Sequence, residues 1–195
     1  MSSALAVAAV TAVLRSLLDD RLIARGVTAT LGGVIVSALP PDRIPIGADE
    51  RSQLNLFLHR LTPNSSWRTA RPTSASARPP LALDLHYLVT AYGEQDFHAE
   101  ILLGHAMQLL QESPVIDHAR IRDVLNAVAP VGSAGLVSSG RAALADSSLA
   151  EQLEQISICA EFLSSDESSR LWSALQARYR PSVAYRVSTV LIHGT

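Results

Sequence analysis

Two segments near the middle of the chain alternate between apolar and polar positions with a period of two. In the first, QLNLFLHRLTPN, leucine occupies every second position from Leu54 to Leu58. In the second, PLALDLHYLVTAYG, the residues that share one face are Leu81, Leu83, Leu85, Tyr87 and Val89. Alternation of this kind is typical of β-strands. The pattern therefore predicts two strands, which we expect to pair antiparallel at the centre of a sheet.

The opposite face of these two strands is mixed in character. It carries Asn55, Phe57, His59, Ala82, Asp84, His86, Leu88 and Thr90. Such a face is too apolar for bulk water and too polar for a uniform core. We expect it to contact a partner layer or another subunit.

Helical spacing and capping signals predict four helices. The N-terminal apolar residues recur at three- and four-residue steps, and Gly26 is the expected stop. Asp96 is the expected cap of a helix whose core stripe includes Ile101. Ser164 and Glu167 have the spacing of a capping box, and Pro181 follows that helix. The predicted helices are Ser2 or Ser3 to Arg25, Phe97 to Gln111, His118 to Val128, and one starting at Ser165 that carries Leu171, Trp172 and Leu175.

Three further segments favour strands and complete the predicted order of elements. They are Val34 to Leu39, Glu154 to Phe162 with Ile156, Ile158 and Ala160 on one face, and Val183 to Ile192. The resulting order is α, β, β, β, α, α, β, α, β, which is typical of an α+β fold. We expect one domain over residues 1–195, with a single mixed, mainly antiparallel sheet of about five strands and the N-terminal helix packed on one of its faces.

The connection between the two central strands is the one segment in which all charged side chains are clearly of the same sign. It contains Arg68, Arg71 and Arg78, and no acidic residue lies between Ser65 and Arg78. Its Ser, Thr, Pro and Ala content offers little apolar surface to offset the cost of ordering a backbone. We expect a mobile loop whose arginines bind a partner when the protein assembles, with a merely solvated loop as the alternative.

Several blocks of the sequence together carry a resemblance to a known family. They are LNLFLHRLTPNSSWR, PLALDLHYLVTAYG, EILLGHAMQLL and RLWSALQARYRPSVAYRVSTVLI, spread in order between Met1 and Ile192. The chain resembles the cap, or tail terminator, proteins of extracellular contractile injection systems of the antifeeding-prophage and virulence-cassette type. None of these blocks is a catalytic signature.

The resemblance implies a non-enzymatic structural protein without a cofactor. It implies a homo-hexameric ring that ends the inner tube and sheath at the distal end of the particle and ties them together. The expected partners are therefore other copies of the chain, the inner tube protein and the sheath protein. Longer members of the family carry further domains, and we expect this chain, which ends at Thr195, to lack them. A phage head-to-tail connector shares the ring and is an alternative.

Composition narrows the function classes further. The formal net charge is -2 and charged residues make up 17% of the chain. The chain therefore lacks the excess of positive charge that is typical of proteins that bind nucleic acid. The single cysteine, Cys159, lies in an apolar run, so we expect it to be buried and the protein to be cytoplasmic before incorporation into a particle. The apolar N-terminus lacks a preceding basic region and is too short to span a bilayer, and the sequence leaves membrane contact open.

A catalytic alternative rests on Asp84 and His86. Two residues apart on a strand, their side chains project from the same face. With a serine or Cys159 nearby as the nucleophile, His86 could act as the base and Asp84 could orient it. A small hydrolase is therefore the competing hypothesis. No nucleophile motif accompanies them. We expect a structural polar pair.

The histidines do not form a metal-binding pattern. They are His59, His86, His98, His105, His118 and His193, and the HExxH spacing is absent. We expect no metal site, no cofactor site and no catalytic residue, and we name Arg68, Arg71 and Arg78 as the candidate partner-binding residues.

Overall fold

The computed structural model describes residues 5–67, 80–128, 149 and 155–192. Its strands are β1 (Ile35–Ser37), β2 (Gln53–Pro63), β3 (Leu81–Tyr92), β4 (Val115–Ile116), β5 (Ile156–Glu161) and β6 (Ser182–Ile192). Its α-helices are α1 (Ala6–Ala24), α2 (Val27–Thr30), α3 (His98–Gln111), α4 (His118–Val128) and α5 (Ser165–Ala174). The strands form one mixed sheet in the order β1-β2-β3-β6-β5-β4. The α+β prediction is confirmed.

The two central strands pair as the alternation predicts. β2 and β3 are antiparallel, and β3 also pairs antiparallel with β6. Only the β1–β2 pair is parallel among the strand pairs that the described residues form. The sheet has six strands rather than about five, because Val115–Ile116 adds a strand of two residues. A segment so short shows no period of its own.

Helix α1 packs on one face of the sheet, as predicted. The Thr11 hydroxyl on α1 and the Tyr87 hydroxyl on β3 lie 2.8 Å apart and share a hydrogen bond. Gly26 follows the helix with a φ of 71°, a left-handed conformation that glycine adopts without steric strain. The predicted start at Ser2 or Ser3 lies outside the described residues. The buried residues of α1 are Ala6, Ala9, Val10, Val13, Leu14, Leu17, Leu18 and Leu22.

The opposite face of the sheet is polar at several positions and still buried. Asn55 is fully buried, and its Oδ1 accepts hydrogen bonds from the Ser37 hydroxyl at 2.7 Å and the Leu39 N–H at 2.9 Å. Its Nδ2 donates to the Leu39 carbonyl at 2.9 Å. Because a buried amide without partners would cost about 1–3 kcal/mol, this network holds β1 and the chain after it against β2.

Helix α3 differs from its prediction at the N-terminus. The residue that caps it is Phe97, with a φ of 67° and no side-chain capping bond, so Asp96 does not cap the helix. Ile101 is 43% exposed, whereas Leu102, Ala106, Leu109 and Leu110 are buried. Ile101 precedes Leu102 by about 100° around the helix, which places it outside the narrow stripe that faces the sheet.

The C-terminal helix begins where the capping box predicts. The Ser164 hydroxyl accepts from the Glu167 N–H at 3.2 Å, and the Glu167 carboxylate accepts from the Ser164 N–H at 2.9 Å. The helix ends at Ala174, well before Pro181. Within α5 only Trp172 is fully buried, while Leu171 is half-buried.

The prediction that Cys159 is buried is wrong. Its thiol is free, and the residue is exposed. Ile156 and Ile158 are buried as expected, but Ala160 is also exposed. The reason is position in the sheet, because β4 pairs only with Ile156 and Ser157. Among the described residues, no strand lies on the outer side of the second half of β5.

Candidate functional site

A polar cluster on the face of the sheet opposite α1 joins β2, β3 and β5. His86 is 4% exposed, and its Nδ1 lies 2.7 Å from Glu161 Oε2. Since a carboxylate only accepts hydrogen bonds, Nδ1–H donates to it. The other ring nitrogen, Nε2, shares a hydrogen bond of 2.8 Å with the Thr62 hydroxyl. Arg60 donates to the same Glu161 carboxylate at 3.5 Å, so the cluster ties together both halves of the sheet.

His59 lies beside this cluster and is half-buried. Its ring centre is 6.3 Å from that of His86. Burial lowers the pKa of His59, and the nearby Arg60 and His86 lower the pKa of His59 further. The protonated form of the His59 ring is therefore less favourable than in a free histidine.

Asp84 and His86 do not form the pair that the hydrolase hypothesis needs. Asp84 accepts a hydrogen bond of 2.7 Å from Asn64 Nδ2, whereas His86 takes Glu161 as its carboxylate. The pairing of β3 with β6 is irregular between Leu83 and Leu85, where Asp84 lies. The extra residue lies in β6, between Val187 and Val190, so Asp84 and His86 stay on one face of β3 but have different neighbours on that side. The sequence offered no signal for Glu161, which is far away along the chain.

Thr62, His86 and Glu161 do lie in the order hydroxyl, imidazole, carboxylate. This order is that of a nucleophile, its base and an orienting acid. The cavities of about 640, 580 and 340 Å³ in the described structure are lined by other residues. Catalysis needs room for a substrate beside the nucleophile. The arrangement is best explained as a buried polar bridge that holds three strands in register.

An apolar groove lies between α1 and β2 and has a volume of about 580 Å³. The helix contributes Ala8 and Ala12, among others, whose small side chains leave the groove open. Leu56, Phe57 and Leu58 line it along β2. A groove of this size with an apolar lining suits a side chain of another protein segment better than a polar ligand.

The described chain contains no group of three or more His, Cys, Asp and Glu side chains arranged to hold a metal ion. Within those residues, no helix combines the length and apolar character needed to cross a membrane. Arg68, Arg71 and Arg78 lie outside the described residues, so their role in partner binding stays a prediction.

Comparison with known proteins gives one family. The model of the Pvc16 N-terminal domain matches residues 9–195, nearly the whole chain. The chain belongs to the Pvc16 N-terminal domain family. The resemblance seen in the sequence is confirmed. No curated protein sequence matches this family member significantly.

Two solved structures share the fold of this family member. One is the sheath/tube terminator, in the extended state, of an extracellular contractile injection system named PVC, with a TM-score of 0.52 and 13% sequence identity. The other is the tube terminating cap of the anti-feeding prophage, with a TM-score of 0.52 and 16% identity. The matches cover 89% and 90% of this chain but 56% and 54% of those chains. The chain thus spans little more than half the length of the solved terminators.

Proposed function

We propose that this protein is a structural cap of a contractile injection particle that ends the growth of the inner tube and sheath. The observation that carries the proposal is membership of the Pvc16 N-terminal domain family over residues 9–195. The fold shared with two solved terminators supports it. The proposal concerns the region held in common with those longer chains.

The cap is proposed to be a ring of six copies that contacts the inner tube and the sheath. A tube and sheath built from six-membered rings require a cap that presents one copy to each protomer, and a closed ring has no open end at which growth continues. The ring acts without catalysis and without a cofactor, and it does not bind nucleic acid directly. Residues 1–195 form one cap domain within each copy. It is assembled in the cytoplasm. The buried bridge of Thr62, His86 and Glu161, satisfied within the fold, supports a structural role for the polar face.

The arginines between β2 and β3 are proposed to contact a neighbouring ring. Arg68, Arg71 and Arg78 have no acidic residue among them, and arginine forms strong bidentate hydrogen bonds with carboxylates. Carboxylates on a tube or sheath subunit would complement this segment. The proposed interaction predicts that association weakens as salt concentration rises.

Deletion of the gene tests the proposed function. Without a cap, tubes and sheaths should grow to widely scattered lengths, and electron micrographs of purified particles would show this directly. Expression of the intact chain from a plasmid should restore a narrow length distribution. Particles of normal, uniform length in the deletion strain would contradict the proposal. Recovery of the chain with capsid proteins instead of sheath and tube would favour the head-to-tail connector.

A further inference from the structure

The outer side of helix α3 carries an exposed apolar ridge. The Ile101 N–H donates to the Phe97 carbonyl at 2.9 Å, so these two residues lie one helical turn apart, and Gly104 follows at the next turn on the same side. Phe97 is 73% exposed and Ile101 is 43% exposed. The buried residues of α3 belong to the core shared with α1 and the sheet. We call Phe97, Ile101 and Gly104 the α3 ridge, and clustered apolar exposure of this kind marks an interaction surface.

Gly104 leaves the middle of the ridge flat. No heavy atom outside the neighbouring helix backbone lies within 4 Å of the point that a Cβ would occupy at this position. Alanine would therefore fit in the single chain, and it is more favourable than glycine in the middle of a helix. A flat position beside exposed apolar side chains allows another chain to approach the helix closely.

The border of the ridge is acidic. Glu94, Asp96 and Glu100 lie within three residues of Phe97 along the chain, and the sequence contains no Lys or Arg between Gly93 and Glu112. Glu100 is exposed, and none of the ion pairs among the described residues involves it. A surface that complements the ridge should therefore be apolar and carry a basic side chain at its border.

The groove between α1 and β2 has these properties. Arg15 is the only charged residue in its lining, and none of the described ion pairs involves it. Ala8 and Ala12 leave the groove wide, with a volume of about 580 Å³. A cavity of about 150 Å³ already holds a benzene molecule, so the groove has room for the ring of Phe97 together with the side chain of Ile101.

The ridge and the groove are separate surfaces of the chain. No residue of α3 lines the groove. On α1, Ala8, Ala12 and Arg15 face the groove, whereas Arg21 reaches toward the Glu112 carboxylate at the end of α3. At 100° per residue, Arg21 lies about 150° around the helix from the centre of the other three. The groove therefore opens on a side of α1 that does not face α3.

We propose that neighbouring copies of this chain join head to tail, with the α3 ridge of one copy seated in the groove between α1 and β2 of the next copy and Glu100 placed beside Arg15. The contact uses two different surfaces of each copy, which is the kind of contact that closes into a ring. Burial of Phe97 and Ile101 supplies affinity, and the opposite charges at the border supply orientation. The inference rests on the proposed ring and specifies its interface.

Reversal of the two charges tests the contact. Glu100→Arg and Arg15→Glu each bring like charges together, so each should lower the number of closed rings on assembled particles, counted by electron microscopy, by about tenfold or more. Both side chains are exposed, so the melting temperature of either purified variant should stay unchanged. The two substitutions combined in one chain should restore the rings. Arg122→Glu, exposed on α4, is the matched control and should not change ring formation.

Coexpression of the two single variants shows whether the contact lies between copies. A chain with Arg15→Glu keeps Glu100, which matches the native Arg15 of a chain with Glu100→Arg, and the reversed charges match each other at the next contact. Strict alternation around a ring of six copies satisfies every contact. The mixture should therefore restore rings that contain equal amounts of the two variants, as measured by mass spectrometry.

The outcomes separate the inference from the proposed function. Normal rings from either single variant would overturn the inference and leave the proposed cap intact. Defective single variants that neither the double variant nor the mixture restores would also overturn it, because a tube or sheath protein would then be the partner of the ridge or of the groove. Failure of the native chain to form any ring contradicts the proposed function itself.

Gly104→Ala gives an independent test with opposite effects on the chain and on the ring. In the purified chain it should raise the melting temperature by about 1–4 °C, because alanine fits the helix without strain. Ring formation should nevertheless fall, because the added methyl group stands where the neighbouring copy approaches. Gln108→Ala, exposed one turn further along α3, is the matched control and should not reduce ring formation. Rings as frequent as those of the native chain would argue against the seated ridge.

Discussion

Arg180, in the segment before β6, donates a hydrogen bond of 2.6 Å to the carboxylate of Glu50, in the segment before β2. The same carboxylate accepts from the Gly93 N–H at 3.2 Å and from the Gly47 N–H at 3.3 Å. The Arg180 guanidinium also lies 5.4 Å from the centre of the Tyr92 ring. One carboxylate thus holds three chain segments together at one end of the central strands. Burial raises the pKa of Glu50, but these hydrogen bonds and the positive charge lower it more, so the pKa of Glu50 lies below its ordinary value.

Glu50→Gln should destabilise the fold by about 1–2 kcal/mol, because it removes the charge from three hydrogen bonds to one acceptor. The Glu50 side chain is only 9% exposed, so solvent screens the interaction with Arg180 weakly. Urea unfolding of the purified chain measures the change. Glu100→Gln, exposed on α3, is the matched control and should have no clear effect. If Glu50→Gln lowers the unfolding free energy no more than the control does, the Glu50 carboxylate does not stabilise the contact between these segments.

The same carboxylate should make stability depend on acid. Because the pKa of Glu50 is lower in the folded state than in the unfolded chain, the stabilisation is complete at neutral pH and is lost as the pH falls through the folded pKa. The difference in unfolding free energy between the native chain and Glu50→Gln should therefore be largest near pH 7 and shrink below about pH 4. A difference that is independent of pH between 3 and 7 would contradict the electrostatic explanation.

Thr11 and Tyr87 should respond unequally to removal of their hydroxyls. Thr11 also donates to the Val7 carbonyl, so Tyr87→Phe leaves it a partner and should cost about 1 kcal/mol. Thr11→Val leaves the buried Tyr87 hydroxyl without its Thr11 partner and should cost more, about 1–3 kcal/mol. The double variant should be less destabilised than the sum of the two. Additive free energies in a double-mutant cycle would show that the 2.8 Å contact carries no coupling.

His86→Ala should act through stability alone. It removes the partner of Glu161 and of the Thr62 hydroxyl and should destabilise the fold by about 2–3 kcal/mol. Particles assembled from variant protein below its unfolding temperature should contract normally, and the same is expected of Asp84→Asn combined with His86→Ala. Thr62→Val is the control, since it removes a nucleophile candidate with little change of shape. A specific turnover reaction lost with Thr62→Val while particles assemble normally would support the hydrolase hypothesis instead.

The arginine segment can be followed by limited digestion with trypsin. Arg71 and Arg78 precede proline and should resist cleavage, which leaves the bond after Arg68 as the sensitive one in this segment. If the arginines bind a neighbouring ring, this bond should be cut in the isolated chain and protected in intact particles. The rate of appearance of the two fragments on a gel is the readout. Equal rates in both states would mean that the segment contacts no partner.

The core of the fold was accessible from the sequence because its signals are local. Alternation in β2 and β3, the spacing of α1 and the capping box at Ser164 each depend on residues a few positions apart, and each prediction is confirmed. Cys159 shows where this reasoning ends. Its apolar neighbours suggested burial, but the residue is exposed, and among the described residues no strand pairs with the outer side of the second half of β5, which is a property of the sheet order. Sheet order does not follow from local periodicity.

The polar cluster illustrates the same limit at the candidate site. Asp84 and His86 were linked in the sequence by a spacing of two, but Asp84 pairs with Asn64 and His86 with Glu161. Glu161 reaches His86 only because β6 brings β5 near β3. Family membership, in contrast, was visible in the sequence because it rests on several long blocks in a fixed order.

Electron cryomicroscopy of assembled particles, with the particle ends averaged without imposed symmetry, tests the central claim most directly. The account predicts that this chain occupies one end only, as a closed ring of six copies stacked on the last ring of the inner tube and touching the sheath. Particles from the deletion strain should lack this density, and complementation should restore it. Density for the chain along the length of the particle, at the baseplate end, or in a ring of a different number of copies would contradict the account.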